Sequence, residues 1–269
     1  MGLHQSIWSI LRLFFVSNST KTTLPSSLSF AGQTILITGA TSGLGLEAAI
    51  LYVNLGAETV IITALTVSKG LAAKSVIESR SGKKNVVQVR VLDMDTFAGV
   101  LKFVKELEKE VTDIDIAFLN AGVHSFDYAT LAEGWDADLQ VNVLSTTLLA
   151  LLLLPWMRSV CKLGQVQHLA VKWSGSHLDA DISKVWPKKD VLDFWNKKEN
   201  YVNGRNNYAV SKLLQQYAVG EIAKLAVDAE GRYVYLLFSG RRNADETRPS
   251  PIVTSICPGM IRTDITRSF

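Results

Sequence analysis

Ile35-Leu36-Ile37-Thr38-Gly39-Ala40-Thr41-Ser42-Gly43-Leu44-Gly45-Leu46-Glu47 decides how this chain is built. A β-branched apolar run enters a glycine-rich turn, and the turn passes directly into Ala48-Ala49-Ile50-Leu51-Tyr52, whose composition favours helix. The reading is strand, tight turn, helix. Glycine at 39, 43 and 45 allows positive φ and a close approach of backbone to ligand. The helix start offers unpaired N–H groups and the positive end of its dipole. Such a turn is suited to a pyrophosphate, and the ligand it implies is a dinucleotide.

Outward from this turn, strand and helix patterns alternate. Thr34–Thr38 is the first strand, and its helix runs to Asn54 with Gly56 placed to stop it. Thr59–Thr63 is a second strand, apolar as one buried on both faces should be. A helix over Ser68–Arg80, a strand over Asn85–Val91, an amphipathic helix over Thr96–Glu110 and a strand over Asp115–Leu119 follow. Next come a long apolar helix over Glu133–Val160, a strand over Gln165–Val171, a helix over Asn206–Ala229 and a sixth strand over Pro251–Ile256. Alternation of this kind implies parallel pairing with right-handed crossovers. The expected fold is therefore α/β, a doubly wound parallel sheet of six strands with helices on both faces. Leu148–Leu154 is hydrophobic all round, which predicts burial, and seven residues are too few to span a bilayer.

Composition narrows the classes. A chain of 269 residues, 48% hydrophobic, buries one sizeable core, so one domain over residues 31–269 is expected behind an N-terminal extension at 1–30. Lys and Arg total 28 against 25 Asp and Glu, scattered along the chain, which gives no reason to expect nucleic acid. Cys161 and Cys257 stand far apart, and neither they nor the histidines show metal-ligand spacing, so no metal is expected and a reducing, cytoplasmic setting fits. Ile7–Val16 is apolar but interrupted by Arg12 and too short to be a firm membrane anchor. Met1-Gly2-Leu3-His4-Gln5-Ser6 matches the loose N-myristoylation pattern.

The turn Thr38-Gly39-x3-Gly43-x-Gly45 resembles the T-G-x3-G-x-G of the short-chain dehydrogenase/reductase family, and further motifs follow in that family's order. Asn120-Ala121-Gly122 looks like its N-A-G, Asn142 its helix asparagine, and Ser174 its serine. Tyr208-Ala209-Val210-Ser211-Lys212 matches its Y-x3-K, and Pro258-Gly259-Met260-Ile261-Arg262-Thr263 its P-G-x3-T. The resemblance implies a Rossmann-type domain that moves hydride between a nicotinamide cofactor and a small-molecule carbonyl or secondary alcohol. It implies catalytic roles for Asn142, Ser174, Tyr208 and Lys212. Cofactor contacts are implied at Gly39, Thr41, Ser42, Gly43, Leu44, Gly45, Leu65, Lys69, Asp93, Asn120, Tyr208, Lys212, Pro258 and Thr263.

The chemistry also follows from the residues. Tyr208 and Lys212 stand four apart on one helix face, which brings an ammonium beside a phenol. That charge is expected to lower the phenol pKa from its ordinary value of about 10, making Tyr208 a general acid or base. In the family the serine holds the substrate oxygen, the lysine holds the nicotinamide ribose, and the asparagine supports a water relay to the lysine. His124 and His177 read as loop histidines near the mouth of the site.

Departures from the pattern are specific. The positions after the second strand are Ala64 and Leu65, neither the acid that marks NAD nor the base that marks NADP. No carboxylate opposes a 2′-phosphate at 64, and Lys69, Thr63 and Thr66 offer it charge and hydroxyls, so NADP is expected over NAD. Lys172-Trp173 stands where relatives carry small or β-branched residues, and the indole is expected to crowd Ser174. The long charged segment Asp179–Asn203 resembles an insertion of fungal secondary-metabolism members and reads equally as a wall or lid of the pocket and as a surface excursion. The chain stops at Phe269, where the family continues with a substrate-binding segment and a seventh strand. That ending leads to the expectation of an exposed sheet edge, homo-oligomerisation or poor solubility, and weak cofactor binding, unless residues 1–30 fold back to cover the gap. The rival class is a catalytically silent dinucleotide-binding protein of the same descent. A sugar-nucleotide epimerase is disfavoured, because that branch uses G-x2-G-x2-G.

Overall fold

A computed structural model describes residues 24–162, 165–182, 186–226 and 251–257, and the backbone of 266–267. The elements are β1 (Thr34–Ile37), α1 (Gly43–Asn54), β2 (Thr59–Ala64), α2 (Val67–Ser81), β3 (Val87–Val91), α3 (Phe97–Glu110), β4 (Ile116–Leu119) and β5 (His124–Ser125). A π-helical stretch over Leu139–Ser145 then leads into α4 (Thr146–Val160). It is followed by β6 (His168–Lys172), α5 (Val191–Asn196), α6 (Gly204–Leu225), β7 (Ile252–Ile256) and β8 (Thr266–Arg267). Pro258 to Asp264, with the whole P-G-x3-T motif, lie outside the described residues, as do 1–23.

Six strands form one parallel sheet in the order β3-β2-β1-β4-β6-β7. The chain works outward from β1 in one direction, returns, and works outward in the other, the doubly wound Rossmann arrangement. Its crevice opens at the carboxyl ends of β1 and β4, where the order reverses. A separate parallel pair, β5 with β8, sets His124 beside Thr266.

Period-two alternation assigns each strand residue to a layer. Ile35, Ile37, Val60 and Ile62 join Ala49, Ile50, Val53 and Ile77 of α1 and α2 in one core. Leu36, Ile61, Ala117, Leu169 and Val253 join Val100, Phe103, Leu107, Leu149, Leu153, Val219 and Ile222 of α3, α4 and α6 in the other. Thr66 and Thr96 cap α2 and α3 by accepting the N–H of Lys69 and of Gly99. Gly82, at φ 69, ends α2 in the left-handed region that disfavours a side chain.

The helix expected from Glu133 differs in two ways. Gly134 turns at φ 84, and the Asp136 carboxylate takes the N–H groups of Asp138 and Leu139, so helical winding begins only after Asp136 and is π-helical from Leu139. The run Leu148–Leu154 is not buried all round, since Leu151 is exposed while Leu149, Leu153 and Leu154 are core. From Leu139 to Val160 the helix is long and apolar enough to span a bilayer, but most of it packs within the fold.

Candidate active site

The crevice is lined from one end by Gly39, Thr41, Ser42, Gly43 and Leu44, at its flank by Thr63, Ala64, Leu65 and Lys69, and at its inner end by Asn120, Ala121, Gly122, Val123, Val141 and Lys172. Gly39 sits at φ +64, and a β-carbon there would lie 2.9 Å from Ala121 Cα. Ser42 precedes α1 with no side-chain cap, and no acidic residue stands in the first turn, so the helix start keeps its amides for an outside anion. Gly45 does a different job from its neighbours. It does not line the crevice; a β-carbon on it would meet Asn120 Nδ2 and Gly39 O, each at 2.5 Å. Its bareness lets α1 pack onto the end of β4.

Asn120 ties the turn to the centre of the sheet by donating to Thr38 O at 2.9 Å and Gly39 O at 3.1 Å. Its Oδ1 is buried with no partner among the described residues. That is an acceptor facing an amide-rich crevice, and a nucleotide with both donors and phosphates fits this donor set. Asp93 is placed differently from its neighbours. Leu92 and Met94 line the crevice, whereas the Asp93 carboxylate is turned back to accept from Asp95 N and Thr96 Oγ1.

At the inner end α6 delivers Tyr208 and Lys212, both buried, with the Lys212 ammonium 5.6 Å from the phenol ring centre. Lys212 Nζ donates to Gln215 Oε1 at 2.9 Å and lies 3.4 Å from where a Gly122 β-carbon would be. Burial first, then repulsion from Lys172, push Lys212 down to about 7, against the pull of Asp138. Ser174 follows β6. Its hydroxyl is close enough to Tyr208 to favour the phenolate, yet it donates to Ser176 Oγ at 3.0 Å.

The expected lowering of the Tyr208 pKa is not what this arrangement gives. Burial of the phenol raises it, the neighbouring Asp138 carboxylate adds to the rise, and only Ser174 opposes them. The Lys212 ammonium faces the ring and Gln215, and its own burial disfavours its charge.

Asn142 lies in the π-helical stretch, and its Oδ1 and the Lys212 Nζ lie 2.9 and 3.4 Å from where a Gly122 β-carbon would be. Its Oδ1 accepts from Val123 N at 2.9 Å, and its Nδ2 donates to Val123 O and to Ser211 Oγ. It clamps the loop after β4 to the helix carrying Tyr208. π-Helical turns are rare and are frequent at functional sites.

Asp138 escaped the sequence, and so did the surroundings of His124 and Lys172. Asp138 is fully buried, takes both the N–H and the hydroxyl of Ser125, and is pushed up to about 7 by burial. His124 stacks on Tyr208 with ring centres 4.6 Å apart, and burial pushes its pKa down. Lys172 is buried in the wall of the crevice. Position two before Ser174 was the one available signal for Lys172; the contacts of Asp138 and His124 span separate elements and leave none. Trp173 packs edge-on against His177 at 4.5 Å, and His177 Nδ1 in turn pairs with Ser174 O.

The described part of the insertion is a buttress, not a lid. Trp195 enters a cluster with Leu139, Val143, Val210 and Leu214 behind α6. Asn196 holds Asp136 N and Gly134 O, and Tyr201 donates to Phe126 O.

Residues 33–166 match the family model described as short chain dehydrogenase. The chain is 36% identical over 243 residues to the short-chain dehydrogenase/reductase phmF of Phaeosphaeria nodorum, covering 90% of this chain and 66% of that one. It is 32% identical to the short-chain dehydrogenase/reductase ffsI of Aspergillus flavipes, covering 90% and 65%. It is 31% identical to a short chain dehydrogenase of Arthrobotrys oligospora, covering 90% and 70%. The chain thus spans about two thirds of the length of these relatives. Among solved structures, a protein from Mycobacterium paratuberculosis superposes with a TM-score of 0.60 at 28% identity, over 77% of this chain and 67% of that one. The RhlG/NADP complex of Pseudomonas aeruginosa superposes at 0.56 and 21% identity, over 75% and 70%.

Proposed function

This chain belongs to the short-chain dehydrogenase/reductase family, and from that premise we propose that it reduces a carbonyl group of a small secondary metabolite, with NADPH as the favoured cofactor. The carrying observation is Lys212 beside Gly122 of the crevice wall, with Tyr208 next to that lysine and Ser174 next to that tyrosine. The fungal relatives' names support the family chemistry, and a protein of the same fold was solved with NADP.

In this reading the amides at the start of α1 and the turn glycines hold the cofactor's pyrophosphate, and Asn120 fixes the turn against β4. When bound, a reduced nicotinamide supplies hydride to the carbonyl carbon. Tyr208 supplies the proton: its O–H bond breaks as an O–H bond forms on the product alcohol, and solvent reprotonates the phenolate. Burial keeps the phenol protonated through the neutral range, which suits a donor and therefore reduction. Lys212, at about 7, takes up and releases a proton near working pH, which suits it to relay that solvent proton toward Tyr208. For cofactor choice, Thr63 already accepts from Gly39 N and Thr66 from Lys69 N, which leaves Lys69 to meet a 2′-phosphate. No carboxylate lines that flank.

The test is NADPH oxidation across a panel of ketones and aldehydes, with Tyr208→Phe alongside. The variant is expected to keep cofactor affinity within a few fold while kcat falls by a factor on the order of 10² to 10⁴. A variant that keeps most of the wild-type kcat removes Tyr208 from the role.

A further inference from the structure

Lys172 is the last residue of β6, and the register that sets Leu119 beside Val171 places it next to Asn120 at the end of β4. Its side chain lines the inner end of the crevice with Asn120, Ala121 and Gly122 yet is only 9% exposed. Lys212 stands just behind Gly122 and has Gln215 as a hydrogen-bond partner and Asp138 as a charge partner. Lys172 has neither a hydrogen bond nor an ion pair among the described residues, and its burial disfavours its own charge. Two lysines thus stand on either side of Gly122 at this end of the crevice, and their repulsion is felt at Lys212.

A buried cation without a partner is costly unless something bound relieves or exploits it. If Tyr208 gives a proton to a carbonyl oxygen, the nicotinamide must lie against that same carbonyl and hence at this end of the crevice. The two redox forms of that ring differ by one positive charge: the oxidised pyridinium is cationic and the reduced dihydropyridine is neutral. A fixed ammonium beside the ring repels the first and is indifferent to the second.

We propose that Lys172 is a specificity-determining residue that makes this site hold the reduced cofactor in preference to the oxidised one, biasing the protein toward carbonyl reduction and prompt release of spent cofactor. The inference rests on the cofactor-binding reading above. It differs from a phosphate-anchoring role, because a cation that grips the pyrophosphate strengthens both redox forms alike.

Calorimetric titration of the full chain with NADPH and NADP+, at about pH 6 to favour the charged form that burial of Lys172 opposes, separates these possibilities. The wild type is expected to bind NADPH more tightly than NADP+. Lys172→Met should cut the ratio of the two dissociation constants by roughly tenfold, mostly by tightening NADP+, while Lys172→Arg keeps it. Circular dichroism melts check that each variant folds, and Lys172→Gln replaces the methionine variant if that one does not. An unchanged ratio in the neutral variant overturns the proposal, as does equal weakening of both forms, which would make Lys172 a phosphate anchor. Failure of the wild type to bind either cofactor overturns the underlying reading and the proposal with it.

Discussion

Gly45 and Asp138 mark two opposite demands at the residue scale: one position requires no side chain, and the other holds a charged one at a cost. A β-carbon on Gly45 would sit 2.5 Å from a backbone oxygen and from the Asn120 amide, and neither is the free end of a flexible chain. Gly45→Ala is therefore expected to lower stability by about 1–3 kcal/mol. It should also weaken NADPH binding by disturbing the Asn120 brace, as a melting curve and a titration would show together. Asp138 is pushed from an ordinary 3.8 up to about 7, so between those values the folded chain binds a proton that the unfolded chain has released. Its contribution is present in acid and is lost as pH rises through about 7. Asp138→Asn keeps an acceptor for the Ser125 N–H and hydroxyl and cannot ionise. It is expected to raise Tm at pH 8 and to flatten the decline between about pH 4 and 7. A variant with the wild-type pH profile of Tm would place the proton elsewhere.

Among the elements, α6 carries the proposed proton donor and α5 braces it. Gly204 opens α6 where a β-carbon would meet Ser125 O at 2.4 Å and Phe126 O at 2.6 Å, so the helix start is pressed against the loop bearing His124. Across its far side, Trp195 of α5 fills the cluster formed by Val210 and Leu214 of α6 with Leu139 and Val143 of the π-helical stretch. The two sides together fix the rotation of α6 and hence the aim of Tyr208. Trp195→Ala is expected to cost about 3–5 kcal/mol. If the mutant stays folded, kcat should fall more than cofactor affinity, because the crevice around the Gly39–Leu44 turn is built by other elements. Loss of cofactor affinity with kcat preserved would assign the insertion to the crevice instead.

For the whole molecule, the reversal of strand order at β1 and β4 gathers the Gly39–Leu44 turn, the Asn120 brace and Lys172 at one sheet end, so a ligand there touches both halves of the fold. At one hundred times its dissociation constant such a ligand stabilises by about 2.7 kcal/mol. NADPH at that excess should therefore raise Tm by roughly 5–10 °C. At equal concentrations NADH should raise it less, and the reverse order would overturn the assignment of Lys69. The sequence by itself determined the sheet and its order of elements, because apolar β-branched runs, the helical stretches between them and the glycine turn are local patterns that need no partner to be read. It also carried Tyr208, Lys212, Ser174 and Asn142 in order, since spacing on one helix or at one strand end is written in the chain. Only tertiary structure decided how those groups are tuned. The phenol pKa follows from burial, and Asp138 arrives from another element. The insertion's role as a buttress depends on Trp195 meeting Val210 across the fold. The π-helical turn that aims Asn142 at Val123 has no pattern in the sequence, and Lys172 became a buried cation because β6 ends inside the crevice. Burial and field are sums over neighbours distant in the chain, and no local pattern records them.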